Sequence, residues 1–172
     1  MPQGSDQRDE EVEDRDDRGS APTADEVDAA REETADLLAA MQMEAAIDVQ
    51  AGEDAILVSI NGPDAGRLIG RQGQTLDALQ YVLNRLSREG GPPVYVDVEG
   101  YRERRQATLE AMALRLAQKA IAERRPVTVE PMSARDRRTM HLALSKVKGV
   151  TTRSRGEGAE RQLQIIPVAA KP

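Results

Sequence analysis

The chain has 172 residues, of which 39 % are hydrophobic and 2 % aromatic, with a formal net charge of −6 and no cysteine. This length allows one ordinary domain or two small ones, and the absence of cysteine excludes disulfides and thiolate metal sites. No apolar run approaches the ~20 residues that span a bilayer, so we expect no membrane insertion. The acidic N-terminus has no hydrophobic core of a signal peptide, and a cytoplasmic protein is expected.

The charge is divided unevenly along the chain. Residues 1–45 carry 15 acidic and 4 basic side chains, whereas residues 46–172 carry 15 acidic and 20 basic ones. Residues 101–172 alone hold 7 acidic and 16 basic side chains. Such an asymmetry is a hint of a polyanionic partner, although a solvated surface with a solubilising tail explains the charge equally well.

The first ordered unit is predicted over residues 23–99, after a disordered acidic tail at residues 1–22. Thr23 and Glu26 form a capping-box pattern that opens a helix to about Met43. Two strand patterns, AAIDVQAG and DAILVSING, come next. A short helix over residues 65–69, a longer one with leucines at 76, 79, 83 and 86 on one face, and the strand VYVDVEG complete the order α-β-β-α-α-β.

The second unit is predicted over residues 100–168, with a short C-terminal tail at 169–172. A long helix, YRERRQATLEAMALRLAQKAIAERR, precedes a short strand at 127–129. Ser133 and Asp136 form a capping pair for a helix that is predicted to end at Gly149. The segments VTTRSR and RQLQIIPV are predicted to form a closing hairpin, giving the order α-β-α-β-β. The fold class is therefore α+β with two small domains.

The segment IGRQG lies between the two helices of the first unit. Gly70 and Gly73 permit backbone angles that other residues avoid and let a ligand approach the main chain. The amide groups that open the next helix favour an anion, Arg71 adds a full charge, and Gln72 adds a hydrogen-bonding amide. With Arg67 one helical turn back, the loop suits the phosphodiester backbone of a single strand. An ordinary turn is the alternative, because a lone G-x-x-G is common.

The placement of this loop, with two strands before it and one after, resembles the type II KH domain. That resemblance implies that the loop clamps backbone nucleotides beside an apolar groove holding about four unpaired bases. Ile69, Leu68, Ile56 and Val58 are candidates for the groove, with a place in the core as the alternative. The predicted RNA-binding residues of the loop region are Gly70, Arg71, Gln72, Gly73, Arg67 and Ile69.

A second candidate site lies in the segment SARDRRTMHLALSKVKG. Arg137 and His141 are four residues apart and thus about 40° apart around a helix, and Lys148 is predicted to lie on the same line. Arginine forks onto phosphate oxygens and histidine donates a hydrogen bond or stacks, although a structural histidine is the alternative. The pattern is similar to the R-x3-H domain, which binds single-stranded nucleic acid. The predicted binding residues are Arg137, His141, Arg138, Lys148, Arg135 and Lys146.

A KH domain followed directly by an R-x3-H domain is the arrangement of the bacterial Jag (KhpB) family, and the resemblance covers about residues 24–168. It implies RNA binding in the cytoplasm, a small stand-alone KH protein as heterodimer partner, and links to cell elongation, division and shape. Self-association is the alternative to the heterodimer. Some members carry an additional N-terminal domain, and we expect the acidic tail in its place here.

Three functions are compatible with these patterns. The leading one is a non-catalytic single-stranded RNA-binding protein without cofactors, acting as an RNA chaperone or post-transcriptional regulator; single-stranded DNA stays open as a ligand. Two weak modules on a short linker would gain affinity through effective concentration. A protein–protein adaptor is the alternative. A nuclease is disfavoured because the acidic residues of the folded region are dispersed and the sole histidine lies beside arginine rather than a carboxylate; no metal site is predicted.

Overall fold

The structure is a computed structural model that describes residues 21–87 and 90–168. The predicted C-terminal tail and all but the last two residues of the predicted acidic tail lie outside the described residues. Within the described part of the chain, helices and two small sheets follow one another in the predicted α+β order. No helix there is long and apolar enough to cross a membrane.

The first sheet has β2 at its centre, antiparallel to β1 and parallel to β3. The elements of this unit are α1 (Ala24–Ala40), β1 (Ala46–Ala51), β2 (Ile56–Asn61), α2 (Ala65–Ile69), α3 (Gln74–Leu86) and β3 (Val94–Val98). The order α-β-β-α-α-β is confirmed, as is the capping box of Thr23 with Glu26. Helix α1 ends before the predicted Met43, because Gln42 adopts a φ of 55° that no α-helix continues.

The alternation of buried and exposed side chains along β2 explains how the first core forms. Ile56, Val58 and Ile60 of β2 face the helices and are buried, whereas the residues between them are exposed. Helices α1 and α3 cover this face of the sheet. The predicted apolar face of α3 is correct for three of its four leucines. Leu86 is 53 % exposed, because it is the last residue of the helix and none of the described elements covers it.

The second sheet is fully antiparallel in the order β4–β6–β5. Its unit consists of α4 (Tyr101–Glu123), β4 (Val127–Thr128), α5 (Ala134–Ser145), β5 (Val150–Arg155) and β6 (Gln162–Pro167). Ser133 caps α5 as predicted, since its hydroxyl oxygen accepts a hydrogen bond from the main-chain N–H of Asp136. Helix α5 ends at Ser145 instead of Gly149, so its predicted length was wrong by a turn.

The two units are joined by only two residues, Glu99 and Gly100, which both have positive φ. Arg102 then fixes the start of α4 to the first unit. Its Nε donates to the carbonyl oxygen of Val96 at 2.8 Å, and its Nη1 and Nη2 donate at 2.9 Å to Asp77 Oδ1 and Gln80 Oε1. All three acceptor groups belong to α3 and β3, so Arg102 holds the start of α4 directly against the first unit.

Candidate nucleic-acid interface

The backbone of the G-x-x-G loop requires glycine at two of its positions. Gly70, Gln72 and Gly73 have φ values of 67°, 55° and 84°. A Cβ atom on Gly70 would overlap Thr75 Oγ1 and lie 2.8 Å from the Cβ of the same threonine. A Cβ atom on Gly73 would lie 2.9 Å from Cε1 of Tyr101 in α4. Glycine is therefore required at both positions by backbone angle and by space, and the loop is held close to both units.

The cations beside this loop differ in what they contact. The side chain of Arg71 is exposed and forms no hydrogen bond or ion pair with any described residue. Arg67 is also exposed, but its Nη1 donates to Asp64 Oδ1 at 3.0 Å. The other carboxylate oxygen of Asp64 accepts from the main-chain N–H of Glu44 at 2.9 Å. These two hydrogen bonds, first that of Glu44 and then that of Arg67, hold the pKa of Asp64 below its ordinary range.

The apolar groove predicted beside the loop is smaller than the sequence indicated. Ile56, Val58 and Leu68 are at most 2 % exposed and belong to the first core, so the alternative interpretation is correct for all three. They are buried because β2 and α2 turn these side chains toward α3. Ile69 is only half-buried and packs at the edge of that core. Of the four candidates, Ile69 alone presents apolar surface next to Gly70.

Arg137 and His141 lie together on the side of α5 that faces the second sheet. Arg137 Nη1 donates to the carbonyl oxygens of Met132 at 2.6 Å and Arg161 at 3.4 Å. The Nδ1 atom of His141 forms a hydrogen bond with the Thr152 hydroxyl of β5. Arg137 thereby ties α5 to the segments just before α5 and β6, whereas His141 contacts β5 and stays exposed. We call this surface the R-x3-H face.

The placement of Lys148 was predicted wrongly. Because α5 ends at Ser145, Lys148 follows the helix and does not continue the line of Arg137 and His141. It is exposed in the turn before β5. The prediction failed because it continued the helical spacing beyond Ser145, the last residue of α5.

The other predicted cations of this unit lie on a different side of α5. Arg135, Arg138 and Lys146 line a groove of about 560 Å³ between α4 and α5. Arg138 follows Arg137 directly and is therefore rotated from it by about 100° around the helix. We call this surface the α4–α5 groove. Of the six residues predicted for this domain, two lie on the R-x3-H face, three line the α4–α5 groove, and Lys148 lies in the turn before β5.

A cleft of about 270 Å³ lies where the two units meet, between the G-x-x-G loop and helices α4 and α5. Arg135 reaches across it, with Nη1 3.5 Å from Asp77 Oδ1. Burial in this interdomain cleft raises the pKa of Asp77, and the charge of Arg135 opposes that rise. Burial likewise raises the pKa of the Tyr101 hydroxyl.

Sequence reasoning missed several residues of the cleft. Gln106 and Thr139 line both the cleft and the α4–α5 groove, and Tyr101 lines the cleft. Their residue types carry no motif, and they come together only because α4 packs beside α5. The one available signal was the run of basic residues at the start of α4, which includes Arg102 and Arg105.

Arg105 and Asp136 form the best-buried ion pair among the described residues. Nη2 of Arg105 lies 2.7 Å from Asp136 Oδ2, and Nε of the same guanidinium also donates to that oxygen. Asp136 is 5 % exposed and stands in the first turn of α5. The pair fixes α4 against α5 and forms one wall of the interdomain cleft.

Comparison with known proteins supports two domains in this chain. The KH domain of KhpA/KhpB matches residues 28–98, and the R-x3-H domain matches residues 107–167. RNA-binding protein KhpB of Clostridium symbiosum is 40 % identical over 128 residues, which cover 73 % of this chain and 58 % of that protein. RNA-binding protein KhpB of Bacillus subtilis is 35 % identical over 125 residues, which cover 69 % of this chain and 60 % of that protein.

A further relative, RNA-binding protein KhpB of Streptococcus pneumoniae serotype 2, is 32 % identical over 130 residues, which cover 39 % of its length. The chain thus matches between two fifths and three fifths of the length of these relatives. The same two domains occur here in the same order, each with its characteristic residues in place. This chain belongs to the KhpB (Jag) family, in which a KH domain of the KhpA/KhpB type is followed by an R-x3-H domain.

Proposed function

We propose that the protein is a non-catalytic single-stranded RNA-binding protein in which the G-x-x-G loop clamps the RNA backbone and the R-x3-H domain adds phosphate contacts. The observation that carries the proposal is the loop itself. Gly70, Gln72 and Gly73 give it a backbone with positive φ, and the exposed side chain of Arg71 stands between them without a partner among the described residues. Three relatives bear the name RNA-binding protein, which supports RNA as the ligand.

Fluorescence anisotropy with a labelled single-stranded RNA tests this proposal at two salt concentrations. Arg71→Asp with Gln72→Asp keeps both glycines but repels phosphate, and we expect a loss of affinity of about tenfold or more, because backbone contacts dominate such binding. The matched control is Arg115→Asp with Gln118→Asp, which makes the same change in charge at exposed positions of α4. Binding by the wild type should weaken with salt by about −0.7 in log–log slope for each neutralised phosphate.

The R-x3-H face is tested in the same assay by Arg137→Ala with His141→Ala. We expect weaker binding, because an arginine and a histidine would be lost from one surface. Since Arg137 also donates to the main chain of Met132 and Arg161, thermal unfolding must accompany the measurement. Equal affinity of wild type and both variants would refute the two-surface proposal. Parallel titrations with single-stranded DNA decide between the two nucleic acids.

We further propose that the domain boundary lies near Gly100, giving domains over residues 23–99 and 100–168. The proposed partner is a small stand-alone KH protein in a heterodimer, with self-association as the other outcome. The name of the matching KH family, which includes KhpA, supports this partner. Native mass spectrometry of the protein alone and mixed with such a KH protein separates monomer, homodimer and heterodimer.

The proposed setting is the cytoplasm, where the protein would act as an RNA chaperone or post-transcriptional regulator linked to cell elongation, division and shape. Deleting the gene in its host and measuring cell length tests that link. Rescue by the wild type but not by Arg71→Asp with Gln72→Asp would tie the phenotype to RNA binding. Unchanged cell length would refute the link and leave the RNA-binding proposal standing.

An adaptor function is the second candidate, and one observation favours it. Leu57 and Tyr95 are 44 % and 50 % exposed as neighbours on the open face of the first sheet. Exposed apolar neighbours are common at protein interfaces. Tyr95→Glu should abolish capture of a protein partner and leave RNA affinity unchanged if the adaptor function uses this face.

A further inference from the structure

Helix α5 presents three distinct faces, and only two of them have an evident role. One face carries Met140 and Leu144 into the second core. A second face holds Arg137 and His141 against the sheet. The third face, turned toward α4, contributes the cations of the α4–α5 groove. Neither a core contact nor an R-x3-H motif explains why cations follow one another on this third face.

The α4–α5 groove is continuous with the interdomain cleft. Gln106, Arg135 and Thr139 line both. At its other end the cleft is lined by Gln72 and Gly73 of the G-x-x-G loop. A path therefore runs from the loop, through the cleft, and on between α4 and α5 without leaving the surface.

The charge along this path changes from balanced to positive. In the cleft, Arg102 and Arg105 are neutralised by Asp77 and Asp136. In the groove, Arg138 and Lys146 are exposed and form no ion pair with any described residue. Glu110 is the acidic residue among those lining the groove. Of the cleft and the groove, the groove would thus attract a polyanion more strongly.

The walls of the groove also offer apolar surface. Leu114 of α4 and Leu142 of α5 are 46 % and 52 % exposed and line it from both sides. Unpaired bases need such surface when they leave their stack, because each has an apolar face, while the phosphates need cations. A duplex would fit less well, since its bases are stacked inside and cannot contact the exposed leucines.

We propose that one RNA strand held at the G-x-x-G loop continues through the interdomain cleft and along the α4–α5 groove, where Arg138 and Lys146 contact its phosphates. The proposal rests on the proposed RNA-binding function and adds the α4–α5 groove to the loop and the R-x3-H face as a further contact surface. Arg153 and Arg155 of β5 lie off that path. They alternate with Thr152, which contacts His141 of α5, and so they point to the outer face of the second sheet.

Two RNAs of different length test the path by fluorescence anisotropy. The short one has about four nucleotides, the length that a KH domain holds, and the long one about twelve. Arg138→Glu with Lys146→Gln should weaken the long RNA about tenfold, lower its log–log salt slope by about 1.4, and leave the short RNA within about twofold. The matched control, Arg153→Glu with Arg155→Gln, makes the same charge change and should leave both RNAs within about twofold.

A third variant addresses the cleft itself. Gln106→Glu is nearly isosteric and places a negative charge where cleft and groove meet. It should weaken the long RNA and not the short one. The amide of Gln106 donates to Glu110 Oε1 at 2.8 Å, so thermal unfolding must show that the substitution leaves the helix intact.

The outcomes separate this inference from the function on which it rests. If the wild type binds neither RNA, the proposed function fails. If the wild type binds both, and the control pair weakens the long RNA as much as the groove pair does, the strand does not follow the groove and the path is wrong. Loss of both RNAs to the same extent in the groove variant would also overturn it, because the short RNA would then lie outside the G-x-x-G loop.

Discussion

At the scale of the residue, Gly70 has no acceptable substitute. A Cβ atom there would overlap Thr75 Oγ1, and φ is 67°. Gly70→Ala should lower the free energy of unfolding by about 2 kcal/mol or more, because strain in this backbone region adds to the overlap. Urea unfolding measures the effect. The control is Gly66→Ala in α2, where no atom lies within 4 Å; it should be neutral or stabilising by up to about 1 kcal/mol.

Asp64 provides a prediction about pH at the same scale. Its pKa is held low in the folded protein, so the stability that it contributes is present above the pKa of the unfolded chain and is lost as pH falls through the folded value. Arg67→Gln should raise the pKa of Asp64 only partway to its ordinary range, because the hydrogen bond from Glu44 stays. An NMR titration of the carboxyl carbon measures it. Arg71→Gln, which removes a charge without touching Asp64, should leave that pKa unchanged.

At the scale of the element, the first turn of α5 is predicted to contribute more to the free energy of unfolding than its last turn. Ser133→Ala removes the acceptor for the N–H of Asp136 and should cost about 1 kcal/mol in the free energy of unfolding. Ser145→Ala, at the other end of the helix, only removes a hydroxyl that donates to the carbonyl oxygen of Leu142. It should change stability by less than about 0.5 kcal/mol, since alanine also favours the helix. Equal effects in urea unfolding would contradict the capping role.

The elements themselves were well predicted, and their ends less so. Patterns of capping residues and apolar spacing act within a few residues of the chain, and so they are visible in the sequence. Helix ends depend on the position in space that the next element must reach. Helix α5 stops at Ser145 because the chain must turn at Gly149 into a strand of the sheet, and this turn moved Lys148 off the expected line.

At the scale of the whole molecule, Arg102 is predicted to hold the two domains as one body. Arg102→Met removes the hydrogen bonds to Val96, Asp77 and Gln80. The wild type should unfold in one transition and tumble as a single unit by NMR relaxation. The variant should show different tumbling times for the two domains. Arg104→Met is the control, because that arginine donates only within the junction, to the carbonyl oxygen of Glu99; identical tumbling of wild type and Arg102→Met would contradict this role.

The order of the elements, the need for glycine's backbone angles in the loop and the arrangement of a KH domain before an R-x3-H domain could all be predicted from the sequence. These depend on backbone chemistry and on neighbours along the chain. Which cations share a surface, in contrast, depends on how the folded elements pack. Arg137 and Arg138 are adjacent in sequence, yet one faces the second sheet and the other the α4–α5 groove. The interdomain cleft has the same origin, because Arg102 meets Asp77 across 25 residues of chain only after both domains have folded.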